Sequence, residues 1–407
     1  MERHPVPVTG RGFYPVAALS GLAFGVLAVG VPLHVAALNR PASLAGQLLA
    51  WVTVAVAVGA LSAGAVGRLV GSARNMLATS ILISGAGHTV LMSASSTVPM
   101  IFGTAAAGVG IGLFWVSSQT LLGHSSGGAG SERGFAYHYA AYTLGVAGGS
   151  ALVGLAIAGL GLVGVEEGHA VQLSYGLAAA SMLLALTLWR PGRRLGNGVL
   201  APRHLRPRPS SQAIAMQLPD LLLVAALAMM LPLAPLVLVR QFDLAPFLVG
   251  LTIACVQAGK IGGTLTGRVI TRERGHRRAI LLLLGSGAFL SLLLSASTST
   301  VGAPLFVVAL IATAFVATGA WPLIVDSALA RTEPSRRPNA TVTWNACEYG
   351  VIAVATATSG WLLASLHSPE LLFVLGSGLL AAAAVSAAIV LRRPVYAPEA
   401  PELEGAR

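Results

Sequence analysis

Residues 231–270 read LPLAPLVLVRQFDLAPFLVGLTIACVQAGKIGGTLTGRVI, and residues 31–70 read VPLHVAALNRPASLAGQLLAWVTVAVAVGALSAGAVGRLV. Laid over each other without a gap, they match at Pro32-Leu33 and Pro232-Leu233, at Leu38 and Leu238, and at Arg40 and Arg240. The matches continue at Leu44-Ala45 and Leu244-Ala245, Leu48 and Leu248, Gly59 and Gly259, and Gly67-Arg68 and Gly267-Arg268. Farther on, Ser93-Ala94-Ser95 recurs as Ser295-Ala296-Ser297, and Trp115 recurs near Trp321. An apolar composition produces chance matches of leucine and alanine, but it does not align Pro, Arg and Gly-Arg at one offset. The chain is therefore two halves of the same topology, a parallel repeat. The copies differ at one telling place, where Lys260 stands opposite Ala60. Lys260 is the only lysine in the chain, and it sits near the middle of the apolar stretch Phe247–Arg268.

Composition sets the solvent. Hydrophobic residues make up 55% of the 407 residues and charged residues 10%, with a mean hydropathy of +0.78. A soluble domain carries about a quarter charged residues, so this chain belongs in lipid. A span needs about 20 mostly apolar residues. Twelve segments qualify: 13–37, 47–67, 75–95, 99–122, 134–160, 170–189, 218–239, 247–267, 279–298, 302–328, 340–365 and 370–391. The expected fold is an all-α membrane protein of twelve transmembrane helices in two pseudo-symmetric six-helix bundles. Its parts are an N-terminal tail (1–12), a first bundle (13–189), a linker (190–217), a second bundle (218–391) and a C-terminal tail (392–407). The linker is marked by Pro, Gly and Arg, and the Pro- and Glu-rich tail reads as disordered. MERHPVPVTGRG at the start lacks a small-residue cleavage site after a short apolar core, so no cleaved signal peptide is expected.

Charge gives the orientation. A net charge of +11 raises the question of nucleic acid, but that function needs basic residues clustered on a soluble face. Here they lie in short segments between spans. With the N-terminus inside, 22 arginines fall on the inner side and only Arg40 and Arg240 on the outer. That bias places both termini in the cytoplasm. The abundance of Ala, Gly and Arg points to a GC-rich bacterial genome, and so to a bacterial inner membrane. Cys255 and Cys347 lie inside apolar spans, too few and too far apart for a disulfide framework or a zinc site. No metal site is expected. The 48 glycines lie in apolar helices and carry no phosphate-loop meaning, and no enzyme is expected.

Span count, repeat and long basic linker together resemble the major facilitator superfamily, over nearly the whole chain. The family's motif is a loop between spans two and three, glycine-x-x-x-aspartate-arginine-x-glycine followed by basic residues. The matching loop is GAVGRLVGSAR, with Gly64, Arg68, Gly71 and Arg74. Its second-half copy, GTLTGRVITRERGHRR, keeps Gly263 and Arg268, and both copies lack the aspartate. The resemblance implies that these loops gate the cytoplasmic side. It also implies that spans eight and eleven line a central cavity.

The polar residues agree with that placement. Gln257, Lys260 and Thr264 are three and four residues apart, on one helical face. Thr341, Asn345 and Glu348 do the same in span eleven, continuing toward Thr356 and Ser359. One-sided polar stripes face a bundle interior or a water-filled cavity. Lys260 and Glu348 both fall about 12 Å from the cytoplasmic edge at 1.5 Å per residue. Two readings stand: a buried ion pair that fixes packing, or a proton site at Glu348 tuned by Lys260, which can also meet an anionic substrate group. Asp326, near Arg331, reads as a brace between carboxylate and loop arginine or as a further proton-coupling group. The first half has no carboxylate well inside a span. Its candidates are His34, His88 and His138, the cluster Tyr137, Tyr139 and Tyr142, and Trp115 and Gln119, with Trp321 in span ten. Gly59, Ala63 and Gly67 recur as Gly259, Gly263 and Gly267, small-residue stripes that suit close helix packing.

The expected function is secondary active transport by alternating access, most plainly proton-coupled export of a small, partly apolar organic molecule. The proton gradient would supply the energy, with no cofactor. An importer or a lipid or organic-anion transporter using Lys260 is the alternative, and a non-transporting sensor or scaffold a third. The expected partners are the small-molecule substrate and the bilayer, with the protein a monomer.

Overall fold

The computed structural model describes residues 12–125, 130–189, 211–297, 302–331 and 337–392. In lipid the backbone must satisfy its own hydrogen bonds, and apolar runs of this length do so as helices. The first half holds α1 (Phe13–Ala37), α2 (Ala42–Val70), α3 (Ala73–Met92), α4 (Thr97–Ser125), α5 (Gly130–Gly161) and α6 (Glu167–Leu188). The second holds α7 (Ser211–Met230), α8 (Ala234–Phe242), α9 (Pro246–Arg274), α10 (His276–Ser297), α11 (Ala303–Ala330), α12 (Arg337–Leu366) and α13 (Pro369–Val390). Among the described residues, eleven segments are long and apolar enough to cross a membrane, α7 and α8 counting as one of them. The twelfth, α3, has the length but carries Arg74, Asn75, His88 and several hydroxyls. Large apolar side chains such as Leu61, Phe102, Leu144 and Val308 point outward, as a lipid-facing surface requires.

The segment of the expected span 218–239 is long and apolar enough to cross as one piece, Gln217–Phe242, but its helix breaks between Met230 and Ala234. The cause is a pair of prolines. Pro232 and Pro235 each lack an N–H and each clash with the carbonyl four residues back. Ala228 thereby loses its helical donor, and Thr356 of α12 offers its hydroxyl to that carbonyl at 3.4 Å.

The two halves pack alike. In the first, α1 lies on α5 and α6, α3 on α4 and α6, and α2 on α4; in the second, α7 lies on α12 and α13, α10 on α11 and α13, and α9 on α11. Each contact in one half has its counterpart in the other. The halves meet chiefly through α2 on α12 and α5 on α9, which are again counterparts. The small-residue stripes belong to the packing inside each half. A Cβ on Gly59 would overlap the Val109 carbonyl of α4, and one on Gly263 the Phe315 carbonyl of α11. Between the halves, at the end away from the linker, glycine meets glycine, with Gly46 against Gly360 and Gly154 against Gly250. There Arg240 also donates from Nη2 to the Arg40 carbonyl at 2.5 Å.

Candidate functional site

A cavity of about 360 Å³ lies between the halves, within the range of about 300–1,000 Å³ usual for small-molecule sites. Its first-half wall comes from α1, α2, α4 and α5, including Phe24, Thr53, Trp115 and Tyr142. Its second-half wall comes from the α7–α8 break, α9 and α12, including Pro232, Gln257, Lys260, Tyr349 and Thr356. The glycine crossings and the Arg240–Arg40 bond lie beyond it, toward the end away from the linker. A smaller cavity of about 200 Å³ opens at that junction, lined by Pro41, Arg240, Gln241 and His367 among others.

Lys260 faces the central cavity. Its helix position is held through its backbone, since Thr264 Oγ1 donates to the Lys260 carbonyl at 3.0 Å and Thr318 Oγ1 approaches it at 3.4 Å. The ammonium itself has no hydrogen bond or ion pair to any described residue. Gln257 joins it in the wall, but Thr264 does not.

Glu348 lies one residue before the cavity-lining Tyr349. Among the described residues no ion pair joins it to Lys260. Its electrostatic neighbours are instead Asp220 of α7 and Tyr139 of α5. Asp220 is fully buried. Trp344, one turn before Glu348 on α12, donates from Nε1 to Asp220 Oδ2, while Oδ1 has no partner. Sequence reasoning missed Asp220. A span begun at 218 leaves it two residues from the end, whereas α7 begins at Ser211 and places it nine residues in. A helix extended back through SQAIAMQ would have exposed it as a carboxyl inside a span.

The other expected cavity residues divide. Trp115 and Tyr142 line the cavity, their rings 4.7 Å apart. His138 is buried behind them, with ring centroids 5.2, 5.7 and 5.5 Å from Phe13, Phe114 and Trp115. His34 does not reach the cavity: it is buried beside the Tyr175 ring at 5.9 Å, and neither of its nitrogens has a partner. His88 is structural, its Nδ1 2.8 Å from the Ser84 carbonyl and its Nε2 3.0 Å from the Ala23 carbonyl, which ties α3 to α1. Tyr137, Gln119 and Asn345 are exposed near the linker-side ends of α5, α4 and α12. Trp321 is half-buried on α11 and outside the wall. Asp326 is exposed toward the linker-side end of α11, outside the wall. The side chain of Thr341 lies outside the described residues.

The presumed gating loops are mostly helix. Gly64 and Arg68 belong to α2, Arg74 to the first turn of α3, and Gly263 and Arg268 to α9. Only Gly71 and Ser72 connect α2 to α3. Gly71 takes φ 82°, which ends α2, and Ser72 accepts from the Asn75 N–H at 3.1 Å, which starts α3. The helices outrun the apolar core, so motif residues read as loop stand on rigid elements.

A model of the Major Facilitator Superfamily matches residues 13–231 and 220–407. Comparison with curated proteins returns no match. Among solved structures, the chain resembles a bacterial homolog of the human lysosomal transporter Spinster, in an inward-facing and occupied conformation. The TM-score is 0.77 at 13% identity, covering 95% of this chain and 98% of that one. The nucleoside transporter NupG gives 0.70 at 15% identity, with coverage of 94% and 99%. The E. coli fucose:proton symporter FucP gives 0.62 at 11%, with coverage of 93% and 97%. At these identities the likeness is one of fold.

Proposed function

We propose, for a chain that belongs to the major facilitator superfamily and is therefore a secondary transporter needing no cofactor, that it exports a small, partly apolar organic molecule in exchange for protons. The two bundles, 13–189 and 218–391, would rock about the central cavity. The arginine bias supports linker and termini in the cytoplasm, and the abundance of Ala, Gly and Arg supports a bacterial inner membrane. The glycine crossings and the Arg240–Arg40 bond then close the outer side. Exposed Gln119 and Asn345 stand on the linker side, in keeping with the inward-facing likeness.

The observation that carries this reading is the buried carboxyl of Asp220, hydrogen-bonded to Trp344 one turn before Glu348, which in turn adjoins the cavity-lining Tyr349. Two like charges close together in an apolar surround are costly, and one proton held between them removes the cost. Glu348 also faces Tyr139 of the other half, so rocking would change its surroundings and its hold on that proton. The linker-side position suits exchange with the cytoplasm. The family resemblance of the GAVGRLVGSAR loop supports a role for Gly64, Arg68, Gly71 and Arg74, with Gly263 and Arg268, in moving the inner side as rigid helix ends. Asp326 near the same side would brace it.

Compounds that raise the protein's thermal stability in a library screen supply the substrates for the test. In proteoliposomes, Glu348→Gln should abolish transport driven by a pH gradient while leaving compound binding measurable, and Asp220→Asn should act in the same direction. Transport by Glu348→Gln that still follows the gradient would rule the reading out.

A further inference from the structure

We propose that the central cavity is a binding site for amphipathic organic monoanions, in which the Lys260 ammonium pairs with a carboxylate-like group while the ligand's apolar body lies against the rings of Trp115, Tyr142 and Tyr349. The proposal rests on reading the cavity as the transporter's substrate site and names the substrate's charge.

A cation inside a membrane protein is costly and normally finds a partner. Lys260 lines the cavity and has none among the described residues. Neither nearby carboxyl reaches it: Asp220 accepts the Trp344 N–H on one oxygen, and among the described residues no ion pair joins Lys260 to Asp220 or Glu348. The wall itself supplies no anion. Its polar members besides Lys260 are neutral: Thr53, Trp115, Tyr142, Gln257, Tyr349 and Thr356. The partner is therefore left for whatever enters. A single cation matches a single negative charge; a dianion would leave one charge uncompensated, and a cationic ligand would be repelled. Gln257, three residues before Lys260 and so on the same face, adds an amide donor for the second oxygen of a carboxylate. The remaining wall is aliphatic and aromatic, which favours an apolar body over a sugar or a free amino acid. A volume of about 360 Å³ accommodates a bicyclic aromatic acid.

The test is equilibrium dialysis of the full chain, purified in a neutral detergent, against a matched set: 1-naphthoate, 1-naphthamide and 1-naphthylmethylamine. Naphthoate should bind at least tenfold more tightly than the amide, and the amine most weakly. Lys260→Gln should erase the preference for naphthoate, while Lys260→Arg keeps most of it and guards against a folding defect. The proposal is overturned if the amide binds as well as the acid, if Lys260→Gln keeps the preference, or if none of the three binds. A lipid source of the anion is tested in nanodiscs. If phosphatidylglycerol, but not naphthoate, stabilises the wild type in a Lys260-dependent way, the site takes a headgroup and the soluble-ligand proposal fails. The readout is binding alone. Lys260-dependent binding without gradient-driven transport would defeat only the proton-exchange reading; gradient-driven transport without an anion preference would defeat only this one.

Discussion

The helices that carry Pro32 and Pro232 began as copies and ended differently. α1 runs unbroken through Pro32 for 25 residues, whereas its counterpart is split into α7 and α8 around Pro232. A single proline is tolerated in α1; a second at 235, where the first half has Val35, is not. Polar groups diverge in the same direction. At the same offset Asp220 stands opposite Ser20, and Lys260 opposite Ala60. The first half contributes aromatic rings to the cavity, from Phe24, Trp115 and Tyr142, and keeps His34, His88 and His138 inside its own packing. The second half contributes the break, the cation and the Tyr349 ring to the wall, with Asp220 and Glu348 outside it. Duplication preserved the packing scheme and left one copy free to acquire charge, which explains how a near-symmetric scaffold can hold an asymmetric site.

The packing scheme can be challenged directly, and the largest difference between repeat mates is expected at Gly59 and Gly259. A Cβ on Gly59 would overlap the Val109 carbonyl, a backbone atom that cannot move aside, whereas at Gly259 the nearest atoms lie at 3.3 Å on Ile311. Gly59→Ala should therefore destabilise by about 1–3 kcal/mol, the usual cost of overpacking. Gly259→Ala should cost well under half of that. Thermal unfolding in detergent compares the two, and equal losses would mean that α2–α4 and α9–α11 are packed equally closely at this position, against the difference in clearance.

Much of this was legible in the sequence because it depends on periodicity and repetition. Span count, the two-half plan and the face shared by Gln257 and Lys260 follow from apolar runs and helical spacing alone. Thr264 shares that spacing yet lies outside the wall, which spacing alone cannot reveal. Glu348 was found, but its neighbour was not. Equal depth suggested Lys260, whereas Asp220 comes from a helix more than 120 positions away whose start had been placed too late. His34 and His138 were offered to the cavity because histidine in a span is conspicuous, and both proved to be turned into the first bundle. Depth follows from counting residues; azimuth follows only from packing.

The break itself can be sharpened next. Replacing Pro235 with valine gives the second half the residue that the first half has at 35. Pro235→Val restores an N–H toward the Leu231 carbonyl, so the amides around 231–236 should exchange with deuterium several-fold more slowly if α7 and α8 begin to join. Pro32→Ala should leave exchange in α1 nearly unchanged, because that helix is already continuous. Unaltered exchange in Pro235→Val would mean that Pro232 alone holds the break.

The smallest effect concerns the two outer arginines, which are repeat mates with unequal roles. Arg240 gives its guanidinium, but Arg40 gives only its backbone carbonyl. Arg240→Ala removes the bond and Arg40→Ala retains it, so only the former should loosen the junction between the halves. A net hydrogen bond of this kind is worth about 0.5–1.5 kcal/mol, enough to shift a two-state population a few-fold and no more. The check is a cysteine at Leu49, a cavity-wall position, in a background where Cys255 and Cys347 are replaced by serine. Labelling by a membrane-impermeant reagent from the side away from the linker should rise a few-fold in Arg240→Ala and stay at the parent level in Arg40→Ala. If both substitutions raise labelling equally, the guanidinium of Arg40 also holds the junction, and the two halves are more alike at their outer ends than the bond suggests.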